Sequence, residues 1–174
     1  KKGIAVNVIE AADRILARVA SSSTADYLSE LHTSHGVNLT TGINVEEIIQ
    51  DGDSFSGVKL SDGTVLNGDM LIVGIGVLPD SKLANEAGLE TQRNDGGAIL
   101  VDDLMYTSHP DVLAIGDVAL KRGASIAIES VHNAQETAAI AASTLMEVAP
   151  PSRQTPGFWS EQYDANLQSG GVVP

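Results

Sequence analysis

Apolar residues recur along this chain in different rhythms, and each rhythm predicts a different element. Residues 4–9 (Ile-Ala-Val-Asn-Val-Ile) are almost continuously apolar and end at Glu10, the pattern of a parallel strand buried on both faces. Residues 21–35 instead place Tyr27, Leu28 and Leu31 on one helical stripe, with Ser and Thr to cap the start and Gly36 to close the end. A short strand follows at 37–39. In the middle the pattern shortens: 45–50, 55–60 and 64–66 read as strands, joined by the tight-turn pairs Asp51-Gly52 and Asp62-Gly63. This predicts an antiparallel meander inserted in an α/β fold. Residues 70–73 then predict a return to a buried strand, ending at Gly74-Ile75-Gly76.

Beyond Pro79, which marks a break and a crossing between two lobes, residues 81–87 predict a short helix stopped by Gly88. Strands are expected at 99–101 and 112–115. The longest helix is predicted over 129–148, rich in Ala and suited to close packing on a sheet. Pro150, Pro151 and Pro156 end it and form a linker.

Composition narrows the class. The chain has 174 residues, enough for a sizeable core. It is 43% hydrophobic but only 3% aromatic, so that core is built from Ala, Val, Ile and Leu, which favours parallel strands under helices. With 23 acidic residues against 10 basic ones, a net charge of −13 argues against nucleic acid and anionic membranes as partners. The absence of cysteine removes disulfides, thiolate metal sites and a redox-active dithiol. His32 and His35 lie three apart on a predicted helix, a weak metal signal without a third ligand, and no metal is expected. No apolar run reaches membrane-spanning length, and Lys1-Lys2 leads straight into a strand rather than a signal peptide, so a cytoplasmic location is expected.

Three stretches suit a ligand. Residues 107–117 (Thr-Ser-His-Pro-Asp-Val-Leu-Ala-Ile-Gly-Asp) read as a turn, an apolar strand and a terminal Gly-Asp. Gly116 allows close backbone approach, and Asp117 is an acceptor-only side chain suited to sugar-type hydroxyls. Glu10 stands at a strand's carboxyl end, where an acid in a dinucleotide fold accepts from ribose hydroxyls and repels a 2′-phosphate. That favours NADH over NADPH, and Arg14 nearby reads as a surface residue. Gly74-Ile75-Gly76 would let a planar ring approach the backbone. The bland alternatives are a strand-end turn, a solvated acid and ordinary helix capping by Ser130.

The string 107–117, followed by Val118-Ala119, closely resembles the second flavin-contacting motif of the FAD-dependent pyridine nucleotide-disulfide oxidoreductase superfamily. Glu129-Ser130-Val131-His132-Asn133-Ala134, with Phe158-Trp159-Ser160-Glu161-Gln162-Tyr163-Asp164, is similar to its ferredoxin/rubredoxin reductase branch, and the resemblance covers essentially the whole chain. It implies parts of two Rossmann-like dinucleotide-binding lobes around the inserted antiparallel β-meander. Residues 1–79 would be the later part of the NAD-binding lobe and 80–149 the second part of the FAD-binding lobe. Residues 150–174 would be a linker and the start of a C-terminal domain. It implies FAD contacts at Gly116, Asp117, Val118, Ser130, Val131 and Trp159, and an NADH path along Glu10, Gly74, Ile75 and Gly76. The implied partner is a 2Fe-2S ferredoxin or a rubredoxin. No acid–base catalytic residue is expected, because moving a hydride from NADH to flavin needs none.

The departures are specific. Only nine residues precede Glu10, where a dinucleotide fold carries its glycine-rich loop about 20 residues before such an acid. The first flavin-binding half and most of the C-terminal domain are likewise outside this sequence. Gly157 stands where relatives often carry an aromatic residue, and Asp80 where they usually carry Asn. The chain is therefore expected to be a section of a larger reductase, inactive by itself and prone to self-association along uncovered sheet edges. Two alternatives stand beside this: a stable module that binds no cofactor, and an NADH oxidase or nitrite-reductase-type flavin domain.

Overall fold

In the computed structural model, residues 3–17, 19–93 and 96–171 are described. The chain forms two compact units, one of residues 1–75 with 160–174, the other of residues 76–159.

The first unit starts with β1 (Val6–Glu10), paired in parallel with β2 (Val37–Thr41) in a register from Val6 opposite Val37 to Glu10 opposite Thr41. The connection between them contains α1 (Ser22–Ser34). Ser21 caps this helix, its hydroxyl accepting from the Thr24 amide at 3.3 Å, and Gly36 follows in the left-handed region at φ +82°. Helix α1 packs on β2 and buries Ala25 and Leu28. Tyr27, predicted on the buried stripe, is exposed. The strand also differs from expectation, since it begins at Val6 and leaves Val6 and Val8 exposed. A parallel strand is buried on both faces only when neighbours and helices cover both, and among the described residues β1 has one ladder partner.

The meander is present as predicted, with β3 (Val45–Asp51), β4 (Ser54–Leu60) and β5 (Val65–Asn67) in consecutive antiparallel order. Central β4 supplies its buried residues, Gly57, Val58 and Leu60. The second turn is held by Asp62, whose Oδ1 accepts from the Thr64 amide at 2.8 Å, and that bond keeps the carboxyl below its usual range. The first unit also holds the tip of a hairpin formed by β9 (Gly157–Gln162) and β10 (Ala165–Gly170). At this tip Tyr163 hydrogen-bonds His32 Nδ1 at 3.1 Å and stacks on His35 at 3.8 Å between ring centroids.

The second unit is built on β6 (Thr91–Arg93), β7 (Gly96–Val101) and β8 (Ala119–Lys121), with β7 and β8 parallel. Short α2 (Lys82–Glu86) precedes them, and long α3 (Val131–Leu145) follows. Val101, Met105, Ala114, Ala119, Ile140 and Ala141 form one buried cluster. The alanines of α3 permit the close approach that the composition implied. Met105 is buried in a left-handed conformation at φ +71°. Asp102 holds that turn, its Oδ1 accepting from the amides of Leu104 and Tyr106 at 2.8 and 2.9 Å.

Two predicted strands did not form. Residues 70–73 are irregular coil, and Met70 and Ile72 stand open to solvent. An apolar run becomes a strand only where a neighbour offers ladder bonds, and no described strand pairs with this one. Residues 112–115 make a single antiparallel bridge, Leu113 to Tyr106, because Pro110 and the turn at Thr107 leave too short a run to extend it. Among the described residues no helix is long and apolar enough to cross a membrane.

Gly57 tests the packing of the meander. A Cβ there would lie 2.6 Å from the carbonyl oxygen of Leu66, a backbone atom that cannot swing away. Gly57→Ala is expected to cost about 2 kcal/mol, in the range of overpacked sites. An unchanged urea-denaturation midpoint would show that β5 yields freely.

Candidate functional site

The site is assembled where the chain leaves the core after Ala114. Thr107, itself buried, shapes the preceding turn: its hydroxyl donates to the Val112 carbonyl at 2.9 Å and accepts from the His109 amide at 3.1 Å. Ile115 is extended, and Gly116 then turns the backbone into the left-handed region at φ +70°. This conformation suits glycine alone without strain, which is the physical reason for Gly at this position. Residues Gly116–Val118 make one 3-10 turn that exposes Asp117 and leads into β8.

The turn is fastened to α3. The Gly116 amide donates to Thr137 Oγ1 at 3.0 Å, and Thr137, buried, donates in turn to the Asn133 carbonyl at 2.7 Å. The helix starts at Ser130, whose Oγ accepts from the Asn133 amide at 3.1 Å, while Asn133 Nδ2 donates back to the Ile128 carbonyl at 2.8 Å. Ser130, Asn133 and Thr137 thus form a polar seam down the helix toward the Gly116 turn.

The amides of Val131 and His132, in the first turn, have no carbonyl within the helix to receive them and carry the positive end of its dipole. Val131 is 61% exposed. His132 Nε2, by contrast, is enclosed without a hydrogen-bond partner. An exposed acceptor at Asp117 and first-turn amides without a carbonyl to receive them, on neighbouring elements, suit a polar ligand.

The remaining predicted residues are not drawn into this cluster by hydrogen bonds. Trp159 lies on β9 and is 59% exposed. Glu10 closes the carboxyl end of β1, where its Oε1 accepts from the Ala12 amide at 2.8 Å. Its other oxygen meets no donor among the described residues. Arg14, expected at the surface, is half-buried and clasps the carbonyls of Ala20 and Ala17 at 2.7 and 3.1 Å, so it is occupied by its own loop. Gly74, Ile75 and Gly76 follow the coil at 70–73 rather than a strand, Gly76 at φ +92° and Ile75 92% exposed.

Sequence reasoning missed Thr137, the anchor of the Gly116 turn. Its signal was present: Ser130, Asn133 and Thr137 follow one another at three- and four-residue spacing in an otherwise Ala-rich helix. It also missed Asp102, which the turn chemistry of Asp before Met105 could have suggested.

This arrangement, a Gly-Asp turn after an apolar segment and bonded to a helix, belongs to a known class. Residues 1–138 match the family described as pyridine nucleotide-disulphide oxidoreductase, and the chain belongs to that family. More particularly, it is 39% identical, over 99% of its length, to the 5,5'-dehydrodivanillate O-demethylase ferredoxin reductase subunit of Sphingobium sp., of which it covers 42%. It is 38% identical to rhodocoxin reductase of Rhodococcus erythropolis, over 99% of this chain and 40% of that protein. Among solved structures, a ferredoxin reductase from Rhodopseudomonas palustris superposes with a TM-score of 0.88 at 38% identity, over 98% of this chain and 42% of that one. The reductase in the covalent putidaredoxin reductase–putidaredoxin complex gives 0.88 at 34%, over 97% and 41%. The α/β, Rossmann-like class read from the sequence is therefore the observed one. The chain spans about two fifths of the length of these relatives.

The Gly116–Thr137 bond sets the rigidity of the site. Thr137→Val keeps the shape but leaves the Gly116 amide without an acceptor, an expected loss of about 1–3 kcal/mol. Hydrogen exchange at Gly116 should accelerate with the loss of stability; unaltered protection there would mean that the turn holds itself.

Proposed function

We propose that this chain is the central section of a flavoprotein reductase that carries electrons from NADH through FAD to a 2Fe-2S ferredoxin or a rubredoxin. In this reading residues 1–79 are the later part of an NAD-binding lobe. Residues 80–149 are the second part of an FAD-binding lobe, and 150–174 begin a C-terminal domain. A cytoplasmic location belongs to the same reading. The observation that carries it is the Gly116-Asp117 turn bonded to α3. The names of the relatives support it, since they include ferredoxin reductases and a rubredoxin-NAD(+) reductase.

The donor set fits FAD. Asp117 is exposed and accepts only, which suits the hydroxyls of a ribityl chain. The glycine before it leaves room for that chain to pass the backbone. The amides of Val131 and its neighbour suit the electron-rich carbonyls on a flavin edge, and Ser130 fixes their direction. Val118, the last residue of the turn, is half-buried and supports it from within. Trp159 would shield the ring on the side facing the acceptor. When bound, flavin supplies the step from paired to single electrons, and the protein's share is orientation and tuning.

On the nucleotide side, the unengaged oxygen of Glu10 suits an adenosine ribose hydroxyl, and its charge disfavours a 2′-phosphate. Arg14 is held by Ala17 and Ala20, so its guanidinium is not free to offset that preference. Gly74, Ile75 and Gly76 would flank the nicotinamide. A second reading, a module that binds no cofactor by itself, is favoured by the solvent-exposed apolar stretch around Ile72 and Ile75, which leaves the nucleotide side uncovered.

Measurements on the short chain and on the holoenzyme separate these readings. The 174-residue chain alone is expected to bind FAD weakly and to show no NADH–ferricyanide turnover, and robust turnover would refute that. In the holoenzyme, Asp117→Ala should weaken FAD binding by roughly tenfold or more, as for loss of a charged hydrogen bond. Retention of flavin through desalting at the wild-type level would remove Asp117 from the site. Glu10→Gln should narrow the NADH-over-NADPH preference in kcat/KM, whereas an unaltered ratio would place the ribose elsewhere.

A further inference from the structure

The hydrogen bond from the Gln154 amide to Glu136 Oε1, at 2.5 Å, joins the linker after α3 to the middle of that helix. It is a contact between residues 18 apart in sequence, and none of the site's features explains it. The chain leaves α3 at Leu145, so to return to Glu136 it must run back toward the helix's N-terminus. Arg153, one residue earlier, reaches the Asp103 carbonyl at 3.5 Å, while Thr144 at the far end of the helix bonds the Leu104 carbonyl at 3.0 Å. The peptide joining residues 153 and 154 thus lies at Glu136, while the Arg153 side chain reaches back to the Asp103–Leu104 segment beside the C-terminal end of the helix. The direction is therefore antiparallel to α3.

His132 lies one turn nearer the start of the helix. It lies four residues before Glu136, on the same helical stripe, and away from the stripe of Asn133 and Thr137 that faces the Gly116 turn. A helix face open to water would leave an imidazole nitrogen solvated. Here Nε2 is enclosed, which requires that this face be covered at the first turn as well.

From these contacts we propose that Glu136 is a positioning residue: by holding the Gln154 amide it lays the linker antiparallel on α3 and delivers Trp159 to the open N-terminal end of that helix. The distances permit it. From Glu136 to Ser130 the helix axis advances about 9 Å, at about 1.5 Å per residue. Five extended residues from Gln154 to Trp159 span up to roughly 17 Å. The run is therefore long enough for Trp159 to reach the helix end. Pro156 stiffens the run, and β9 begins at Gly157. A charged acceptor suits the task, because a carboxylate binds a backbone amide more strongly than a neutral group does. The meaning of this placement for electron transfer rests on the flavin reading given above, but the seam itself does not.

Trp159 is the sole tryptophan of the chain, so its fluorescence reports the seam directly. In the 174-residue chain, Glu136→Ala should lower the steady-state anisotropy of Trp159 and raise its acrylamide quenching constant measurably. Glu136→Lys, which keeps a long side chain without an acceptor, should do the same. Glu136→Gln retains a carbonyl acceptor and should restore most of the wild-type signal. Helix content by circular dichroism should stay unchanged, since none of these residues is a poor helix former. If Trp159 responds to none of the substitutions, or equally to Glu136→Gln and Glu136→Ala, Glu136 does not position it. The readout contains no cofactor, so its failure leaves the flavin reading standing, and failure of FAD binding leaves the seam standing.

Discussion

The hydrogen bond from the Gly116 amide to Thr137 Oγ1 fixes the relation on which the candidate site depends. It joins a short turn, too small to stabilise itself, to the longest helix of the described chain. The turn needs this support because glycine has more conformational freedom to lose on folding than any other residue. Ile140 and Ala141, one turn beyond Thr137, are buried in the cluster with Ala114 and Ala119 on either side of the turn. The apolar core therefore sets the distance between helix and turn, and the single polar bond sets their register. Hydrophobic burial supplies the larger energy, but it is non-directional. The orientation of Asp117 relative to the start of α3 comes from the hydrogen bond.

What was legible in the sequence was local in cause. The start of α1 at Ser21 and of α3 at Ser130 is written in side chains that cap within three residues. The meander is written in its Asp-Gly pairs, where Asp62 accepts from an amide two residues on. What was not legible depended on distant neighbours. Residues 70–73 have the composition of a buried strand, yet the pattern cannot say whether a partner strand is at hand. Val6 and Val8 show the same limit, because burial on both faces is a property of a sheet and its covering helices. The Gly-Asp motif at 116–117 was readable as a turn closing an apolar run, while the anchor that holds it, 21 residues away, was not.

The charge distribution adds a separate constraint. Most of the chain's 23 acidic residues serve as solvated surface. Some form ion pairs: Asp103 bonds Lys121 and lies near Arg153, and Glu90 pairs with Arg122. The Lys121 bond, with its positive charge, holds the Asp103 carboxyl below its usual range. A lowered carboxyl contributes stability above its unfolded pKa and loses that contribution as pH falls through the folded value, so this link weakens only in acid. The pair is exposed and screened, and its effect on the fold is small.

The site itself is organised for holding rather than for proton transfer. The groups that converge on it are backbone amides, two hydroxyls committed to helix geometry, and one carboxylate at a turn. Thr137 and Ser130 are already engaged as acceptors, so neither stands as a free nucleophile or base. A general base would need reach to a substrate proton and a second group to orient it. Asp117 has no such orienting partner among the described residues. Such a set can position a ring and hold its polar edge while leaving the electronic work to the ring. Under the proposed flavin reading, a change in the angle between turn and helix would then shift how the ring is held. In the proposed reductase, precision of placement is therefore what the fold would control.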